Sequence, residues 1–278
     1  MKLIVDSGST KAAWALCQDG QIISEIQTSG ISPYFLDDTA IAHIARGALD
    51  FFDLSHLKGL FYYGTGCQAS EQKQRLHRIF SILLPQSASI AVHTDIEGAA
   101  RSTCQHQAGI TGILGTGSNA CRFDGHTVTQ TAGGLGFILG DEGSGAAIGR
   151  ELLIAFLNAE LPTDLADVLQ HTYSLQRDSI LEAVYKKPFP SRYLAGFMPF
   201  MHTYRTEPAI HTLLNRQFDL FFQRNISPLQ TEPSLPVHLV GSVAFYFQEA
   251  LAESARAQNL FLSSIVQSPL QGMARYHP

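Results

Sequence analysis

Apolar positions in the first thirty residues form three short runs, at 3–5, 12–16 and 21–27, the last alternating apolar and polar. A period of two predicts strands, because successive side chains of a strand face opposite ways. Gln18-Asp19-Gly20 supplies a hairpin turn between the second and third runs, and the polar segment DSGSTK at 6–11 separates the first from the second. The chain therefore opens as a β-meander with a polar loop after its first strand. The period then changes. Ile41, Ile44, Ala45, Leu49 and Phe52 are spaced for one face of a helix over 39–52, the segment 71–84 is helical again, and strands are predicted at 59–63 and 89–93.

From Gly109 the pattern restarts. A strand at 110–114 precedes the polar turn Gly115-Thr116-Gly117-Ser118, then come a strand at 120–123, the turn Asp124-Gly125 and a strand at 127–131. This recurrence predicts two mixed α/β lobes, each opening with a polar hairpin loop, with a boundary near 105–109. We place the first lobe at 1–107 and the second at 108–278, with room for the last residues to pack back on the first. Glycines cluster in GGLGFILGDEGSG at 133–145, ahead of an apolar helix at 146–157. The stretch 164–224 has helical spacing, as at Leu194, Phe197, Met198 and Met201, and forms a helical insertion in the second lobe. A late strand at 237–240 ends at Gly241-Ser242, and helical spacing continues through Ala255.

Composition narrows the class. A chain of 278 residues, 45% hydrophobic and 15% charged, has material for two buried cores and excludes extended disorder. A formal charge of −5 with no Lys/Arg stripe argues against a nucleic-acid partner, Lys186-Lys187 being the densest basic spot. The opening MKLIVDSGST has too short an apolar run for a signal peptide, and no run approaches a membrane span, so a cytoplasmic chain without a membrane partner is expected. Cys17, Cys67, Cys104 and Cys121 are widely spaced, which suits buried reduced thiols better than a disulfide framework or a zinc site.

Four places carry candidate chemistry. In Asp6-Ser7-Gly8-Ser9-Thr10-Lys11, small residues let backbone N–H groups approach an anion, hydroxyls and an ammonium add donors, and the carboxylate at the strand end can hold Mg²⁺ through water. An ordinary hairpin turn needs the same residue types. Gly115-Thr116-Gly117-Ser118-Asn119 repeats the logic, and two such loops opening two lobes can grip a polyphosphate across a cleft, which a chance pair of turns would not explain. Asp95 ends a predicted strand before a helical stretch at 98–103, where it can either accept the proton of an attacking hydroxyl or cap the helix. In Gly140-Asp141-Glu142-Gly143, two acids near a helix start either complement its dipole or, through Asp141, hydrogen-bond a substrate hydroxyl.

Taken in order, DSGSTKAAWAL, Thr94-Asp95, ILGTGSNACRFDG, GGLGFILGDEGS and LVGSVAF resemble the N-acetylglucosamine kinases and the BadF/BadG-type ATPases of the sugar kinase, Hsp70 and actin superfamily. The resemblance spans residues 6 to about 247. It implies an α/β fold of two ribonuclease-H-like, actin-like ATPase lobes with an interdomain cleft, using ATP and Mg²⁺ to phosphorylate a hydroxyl of a small amino sugar such as N-acetylglucosamine or glucosamine. Asp6 takes the water-mediated metal position, and Ser7, Gly8, Ser9, Thr10 and Lys11 the first phosphate loop. Gly115, Thr116, Gly117 and Ser118 form the second, and Gly241 and Ser242 the turn against adenosine. Asp95 matches the catalytic base; Asn119, Gly134 and Asp141 match the sugar pocket. Ser32 stands where an Asn is expected, and its hydroxyl cannot reproduce an amide's paired donor and acceptor. Leu135 stands where some members place an aromatic ring.

Two rivals share these features. A BadF/BadG-type activator ATPase needs cysteines to hold an iron–sulfur cluster across a dimer, and its Cys-Ala-Ala-Gly-Thr-Gly stretch is replaced here by GDEGSG. A non-catalytic ATP or sugar sensor would keep the cleft and lose turnover. Homodimerisation is admitted by the sequence and not required by it.

Overall fold

The computed structural model describes residues 1–8, 10–231 and 234–278. The chain divides into two compact units: Met1–Ala108 with Phe123–Val128 and Ser268–Pro278, and Gly109–Arg122 with Thr129–Gln267.

The first unit is built on β1 (Lys2–Ser7), β2 (Lys11–Gln18), β3 (Gln21–Ser29), β4 (Gly59–Gly64) and β5 (Ser89–Thr94), with helices α1 (Asp38–Leu49), α2 (Ser70–Leu83) and α3 (Asp95–Cys104). The second carries β6 (Ala108–Leu114), β7 (Ser118–Asp124), β8 (Val128–Gly133), the short α4 (Gly136–Leu139), α5 (Gly145–Leu157), α6 (Thr163–Tyr173), α7 (Arg177–Tyr185), α8 (Pro190–Ala195), α9 (Met198–Thr203), α10 (Pro208–Phe221), β9 (Val237–Val240), α11 (Ser242–Tyr246), α12 (Gln248–Ala257) and β10 (Leu262–Val266). Helix α13 (Leu270–Tyr276) returns to the first unit.

The two sheets have one topology. Their strand orders are β3-β2-β1-β4-β5 and β10-β9-β6-β7-β8, and the second read backwards repeats the first. In the first sheet β1–β2 and β2–β3 pair antiparallel, whereas β1–β4 and β4–β5 pair parallel; in the second, β6–β9 and β9–β10 are likewise parallel. This is the two-lobed actin-like arrangement that the resemblance implies. Central β1 is buried from Leu3 to Val5, as a strand covered on both faces must be, while edge strand β3 alternates half-buried and exposed.

Each unit has its own core. Trp14, Tyr62 and Phe80 sit fully buried in the first, with Phe80 edge-on to Trp14 at 6.3 Å between ring centroids. Phe197, Phe218, Phe221 and Phe222 anchor the second. Strand β10 and helix α13 are absent from the sequence reading. Two consecutive serines interrupt the apolar pattern of β10, and Gly272 lies inside α13, where a Cβ would stand 2.3 Å from the Ser102 carbonyl oxygen of α3. Gly272 is therefore what lets α13 press on α3, the helix that begins at Asp95.

Candidate active site

Asp6 and Asp95 come from neighbouring parts of the first sheet. Asp6 is the penultimate residue of β1, and Asp95 opens α3 directly after β5. The cap of α3 is Thr94, whose side chain accepts from the Glu97 N–H at 3.2 Å. The helix-cap role that sequence leaves open for Asp95 thus falls to its neighbour. Asp95 Oδ1 instead accepts the adjacent Ile96 N–H at 2.8 Å, and its carboxylate also meets its own backbone N–H. Burial pushes the Asp95 carboxyl up, opposed by that N–H. Burial and then the charge of Asp95 push Asp6 up to about 7, while Lys11 pulls it down. Two carboxyls raised by burial, one of them further by its neighbour's charge, form a site that a cation or a proton would relieve.

The first loop is more constrained than its composition suggests. Ser7 is fully buried, and its Oγ accepts the Ile31 N–H at 2.9 Å and donates to the Ile31 carbonyl at 3.2 Å. Tyr62 donates its hydroxyl to the same carbonyl at 3.1 Å, so the Ser7 side chain fastens the segment leading to Ser32. Ser32 is itself buried, its carbonyl accepting the N–H groups of Phe35 and Leu36 at 3.1 and 3.0 Å. Gly8 closes the turn by donating to the Lys11 carbonyl at 3.0 Å, and Thr10 and Lys11 are exposed. Ser9 lies outside the described residues.

The second loop is a backbone scaffold resting on a helix start. Gly115 N–H donates to the Gly117 carbonyl at 3.0 Å, and the carbonyls of Gly115 and Thr116 accept the N–H groups of Gly145 and Ala146, at 2.8 and 3.1 Å. Ser144 caps α5 by accepting from Ala147 N–H at 3.1 Å. Asp141 is therefore not a cap. It lies upstream in a left-handed conformation (φ 60°), 7% exposed, and its carboxylate accepts the N–H groups of Ser118 and Gly136. Burial pushes this carboxyl up, reinforced by Glu142 and opposed by those N–H groups and by Arg150. A Cβ on Gly117 would stand 3.0 Å from Asp141 Oδ2, so glycine lets the loop lie close against this side chain. Asn119 faces Gly134 in the same way: a Cβ there would be 3.3 Å from Asn119 Oδ1. Gly241 (φ 121°) abuts the loop's base, where a Cβ would fall 2.3 Å from the Leu114 carbonyl oxygen, and Ser242 opens α11 just beyond it. The second unit thus assembles Gly115, Thr116, Gly117, Ser118, Asn119, Gly134, Asp141, Gly241 and Ser242 into one neighbourhood, while Asp6, Ser7, Gly8, Thr10, Lys11, Ser32 and Asp95 belong to the first.

Two observations fit a phosphate ligand at these loops. Ser118 Oγ is buried with no hydrogen-bond partner among the described residues, a hydroxyl awaiting an acceptor. A Cβ on Gly115 would meet nothing within 4 Å, so the loop backbone faces open space. For a metal, the described residues contain no group of three or more His, Cys, Asp and Glu side chains arranged as a cage. Asp6 and Asp95 suit instead an ion such as Mg²⁺ that takes one or two carboxylates and completes its shell with water and phosphate oxygens. All four cysteines are buried. No described helix is long and apolar enough to cross a membrane.

Sequence reading passed over Gln217, Arg224 and Asn225, which reach the glycine-rich segment from α10 and the π-helical turn Phe222–Ile226 that follows it. The only signal was the polar trio Gln223-Arg224-Asn225 inside an otherwise apolar stretch.

No family model matches the chain. It is similar throughout to the crystal structure of a proposed N-acetylglucosamine kinase from Porphyromonas gingivalis, with 39% identity and a TM-score of 0.95 over all of this chain and 98% of that one. It is 30% identical to a glucosamine kinase of Vibrio cholerae over 197 residues, 69% of this chain. That match spans 65% of the Vibrio protein's length. A ROK-family glucokinase from Streptomyces griseus, solved with glucose and AMPPNP, covers 98% of both chains at a TM-score of 0.56 and 15% identity, a likeness of fold alone.

Proposed function

We propose, for a chain that belongs to the N-acetylglucosamine kinase family of the sugar kinase, Hsp70 and actin superfamily, that it transfers the γ-phosphoryl group of ATP to a hydroxyl of an amino sugar, glucosamine or N-acetylglucosamine. The observation that carries this reading is the pair Asp6 and Asp95, two buried carboxyls at the end of β1 and the start of α3, with the charge of Asp95 acting on Asp6. Phosphoryl transfer asks little covalent chemistry of a protein; it needs positioning, charge neutralisation and one acceptor for the hydroxyl proton. Asp95 is the acceptor. Burial raises its affinity for a proton towards the range useful to a general base, and the Ile96 N–H fixes its orientation.

In this reading Asp6 and its bound waters hold Mg²⁺, which supplies charge stabilisation for the phosphates when bound. Lys11 and Thr10, together with Ser9, offer donors to phosphate oxygens, Gly8 closes the turn that presents them, and Ser7 sets the position of that loop through Ile31. Gly115, Thr116 and Gly117 present backbone, and Ser118 Oγ donates from its buried position. Gly241 and Ser242 form the adenosine-side turn beside Leu114. Asn119, Gly134, Asp141 and Ser32 are the sugar-side residues. Because the Asp141 carboxylate is occupied by two backbone N–H groups, it has lone pairs left for one sugar hydroxyl and otherwise shapes the loop. The exposed Leu135, 65% accessible, offers an apolar surface and no ring face. An activator ATPase is disfavoured by four buried thiols, which present no surface sulfur to a shared cluster.

The test is ADP release measured by a coupled assay with glucosamine, N-acetylglucosamine, glucose and no sugar. Sugar-dependent release that is lost in Asp95→Asn supports the reading; sugar-independent release, or full turnover in that variant, contradicts it.

A further inference from the structure

One helical element braces the glycine-rich segment at three points. Gln217 Oε1 accepts the Gly143 N–H at 3.4 Å, Arg224 Nη1 donates to Glu142 Oε1 at 2.6 Å, and Asn225 lies against Gly133, where a Cβ would sit 3.1 Å from its Nδ2. The three side chains, spaced i, i+7 and i+8, share one face of a helix that runs from α10 into the π-helical turn Phe222–Ile226. Such turns are uncommon and concentrate at functional sites.

Asn225 is the unexpected member. It is 2% exposed, and its Nδ2 has no hydrogen-bond partner among the described residues. A buried donor left unmatched costs stability that an apolar side chain of similar size would avoid. The segment above it has the opposite mismatch: Leu135, Ile138 and Leu139 are 65%, 74% and 77% exposed. Gly133, Gly134, Gly136 and Gly143 all hold positive φ, from 67° to 84°, conformations that glycine enters and leaves without a Cβ penalty. The unmatched amide and the exposed apolar side chains would both be relieved by a movement of residues 133–143 over the π-helical turn.

We infer that Asn225 is a positioning residue for the sugar. When the amino sugar binds, the glycine-rich segment shifts so that a carbonyl of the Gly133–Gly134 stretch accepts from Asn225 Nδ2, and this hydrogen bond locks Gly134 and the adjoining Asn119 amide around the sugar. The inference rests on the amino-sugar reading of Asn119 and Gly134. It explains why the polar side chain persists in the core: its hydrogen bond is made in the sugar-bound state. The Arg224–Glu142 pair and the Gln217 contact keep the far end of the segment attached while the near end moves.

The experiment pairs hydrogen exchange by mass spectrometry with calorimetric binding of glucosamine and N-acetylglucosamine. In the wild-type protein, sugar slows exchange of the amides at 133–136 about tenfold, as expected for one added hydrogen bond. In Asn225→Leu and Asn225→Ala the added protection disappears and sugar binds about tenfold more weakly, while the ATP affinity is unchanged and the sugar-free Asn225→Leu protein melts no lower than wild type. A purely structural side chain would instead lower the melting temperature and weaken both ligands alike, and that result overturns the inference. So does wild-type sugar binding without added protection at 133–136, a measurement that needs no variant to fold. If the wild-type protein binds neither sugar, the amino-sugar reading itself fails, and this is seen before any variant is made.

Discussion

His277 makes the first unit sensitive to acid. Its ring stacks on Phe61 at 3.8 Å between centroids, and its Nε2 meets the Tyr63 hydroxyl at 2.6 Å. Burial, then the charges of Arg101, Lys2 and His93, press its pKa from an ordinary 6.5 down to about 3. The folded chain therefore keeps His277 neutral across the mildly acid range, whereas the unfolded chain takes up a proton below about 6.5. A depressed base costs nothing well above its unfolded pKa and destabilises progressively as pH falls, levelling only near the folded value. At about pH 5 the unfolded state has gained roughly 1.5 pK units of protonation free energy, or about 2 kcal/mol. That figure holds for any folded pKa well below 5.

The perturbation is His277→Phe, which keeps a ring against Phe61, removes the titration and gives up the Tyr63 hydrogen bond at every pH. Urea unfolding of both proteins at about pH 7.5 and about pH 5 separates the two effects. The lost hydrogen bond lowers the variant's stability by about 1 kcal/mol at the higher pH. On acidification the wild type loses about 2 kcal/mol more than the variant, so their order reverses. Equal losses in the two proteins would refute the placement of His277 as a neutral, half-buried partner of Tyr63.

Three further outcomes follow from the site. Asp95→Asn lowers kcat by at least about a hundredfold while ATP binding, read by calorimetry, is retained. Ser118→Ala is neutral or slightly stabilising, because its hydroxyl is buried without a partner, yet it weakens ATP binding by roughly tenfold; a loss of melting temperature would show that the hydroxyl is already bonded. Gly241→Ala destabilises the second unit by about 3 kcal/mol or more, since the new methyl would stand 2.3 Å from the Leu114 carbonyl at a positive φ, and thermal denaturation measures it.

Much of this was legible in sequence because it depends on local pattern. Nine of the ten strands left a run or an alternation, and the restart at Gly109 foretold the shared topology of the two sheets. The loops at 6–11 and 115–119 were visible because each is a run of small and hydroxyl-bearing residues directly after an apolar strand. What escaped depends on tertiary packing. Strand β10 has too little apolar pattern in Leu262–Val266, and α13 is held by Gly272 against Ser102, a contact with no local signature. The division of labour between Thr94 and Asp95, or between Ser144 and Asp141, turns on which carboxylate or hydroxyl reaches which N–H, and the residue types alone permit either. That the Ser7 hydroxyl bonds Ile31, twenty-four residues on, likewise has no local signature. Asn225 was hidden within a helical stretch because a π-helical turn has no distinctive composition.

Phosphorus NMR of a reaction containing the protein, ATP, Mg²⁺ and glucosamine or N-acetylglucosamine tests the central claim most directly. The account predicts a new phosphomonoester resonance coupled to sugar protons, growing in step with ADP and absent when Asp95 is replaced by Asn. Conversion of ATP to ADP and inorganic phosphate alone, with no resonance coupled to the sugar, would contradict it.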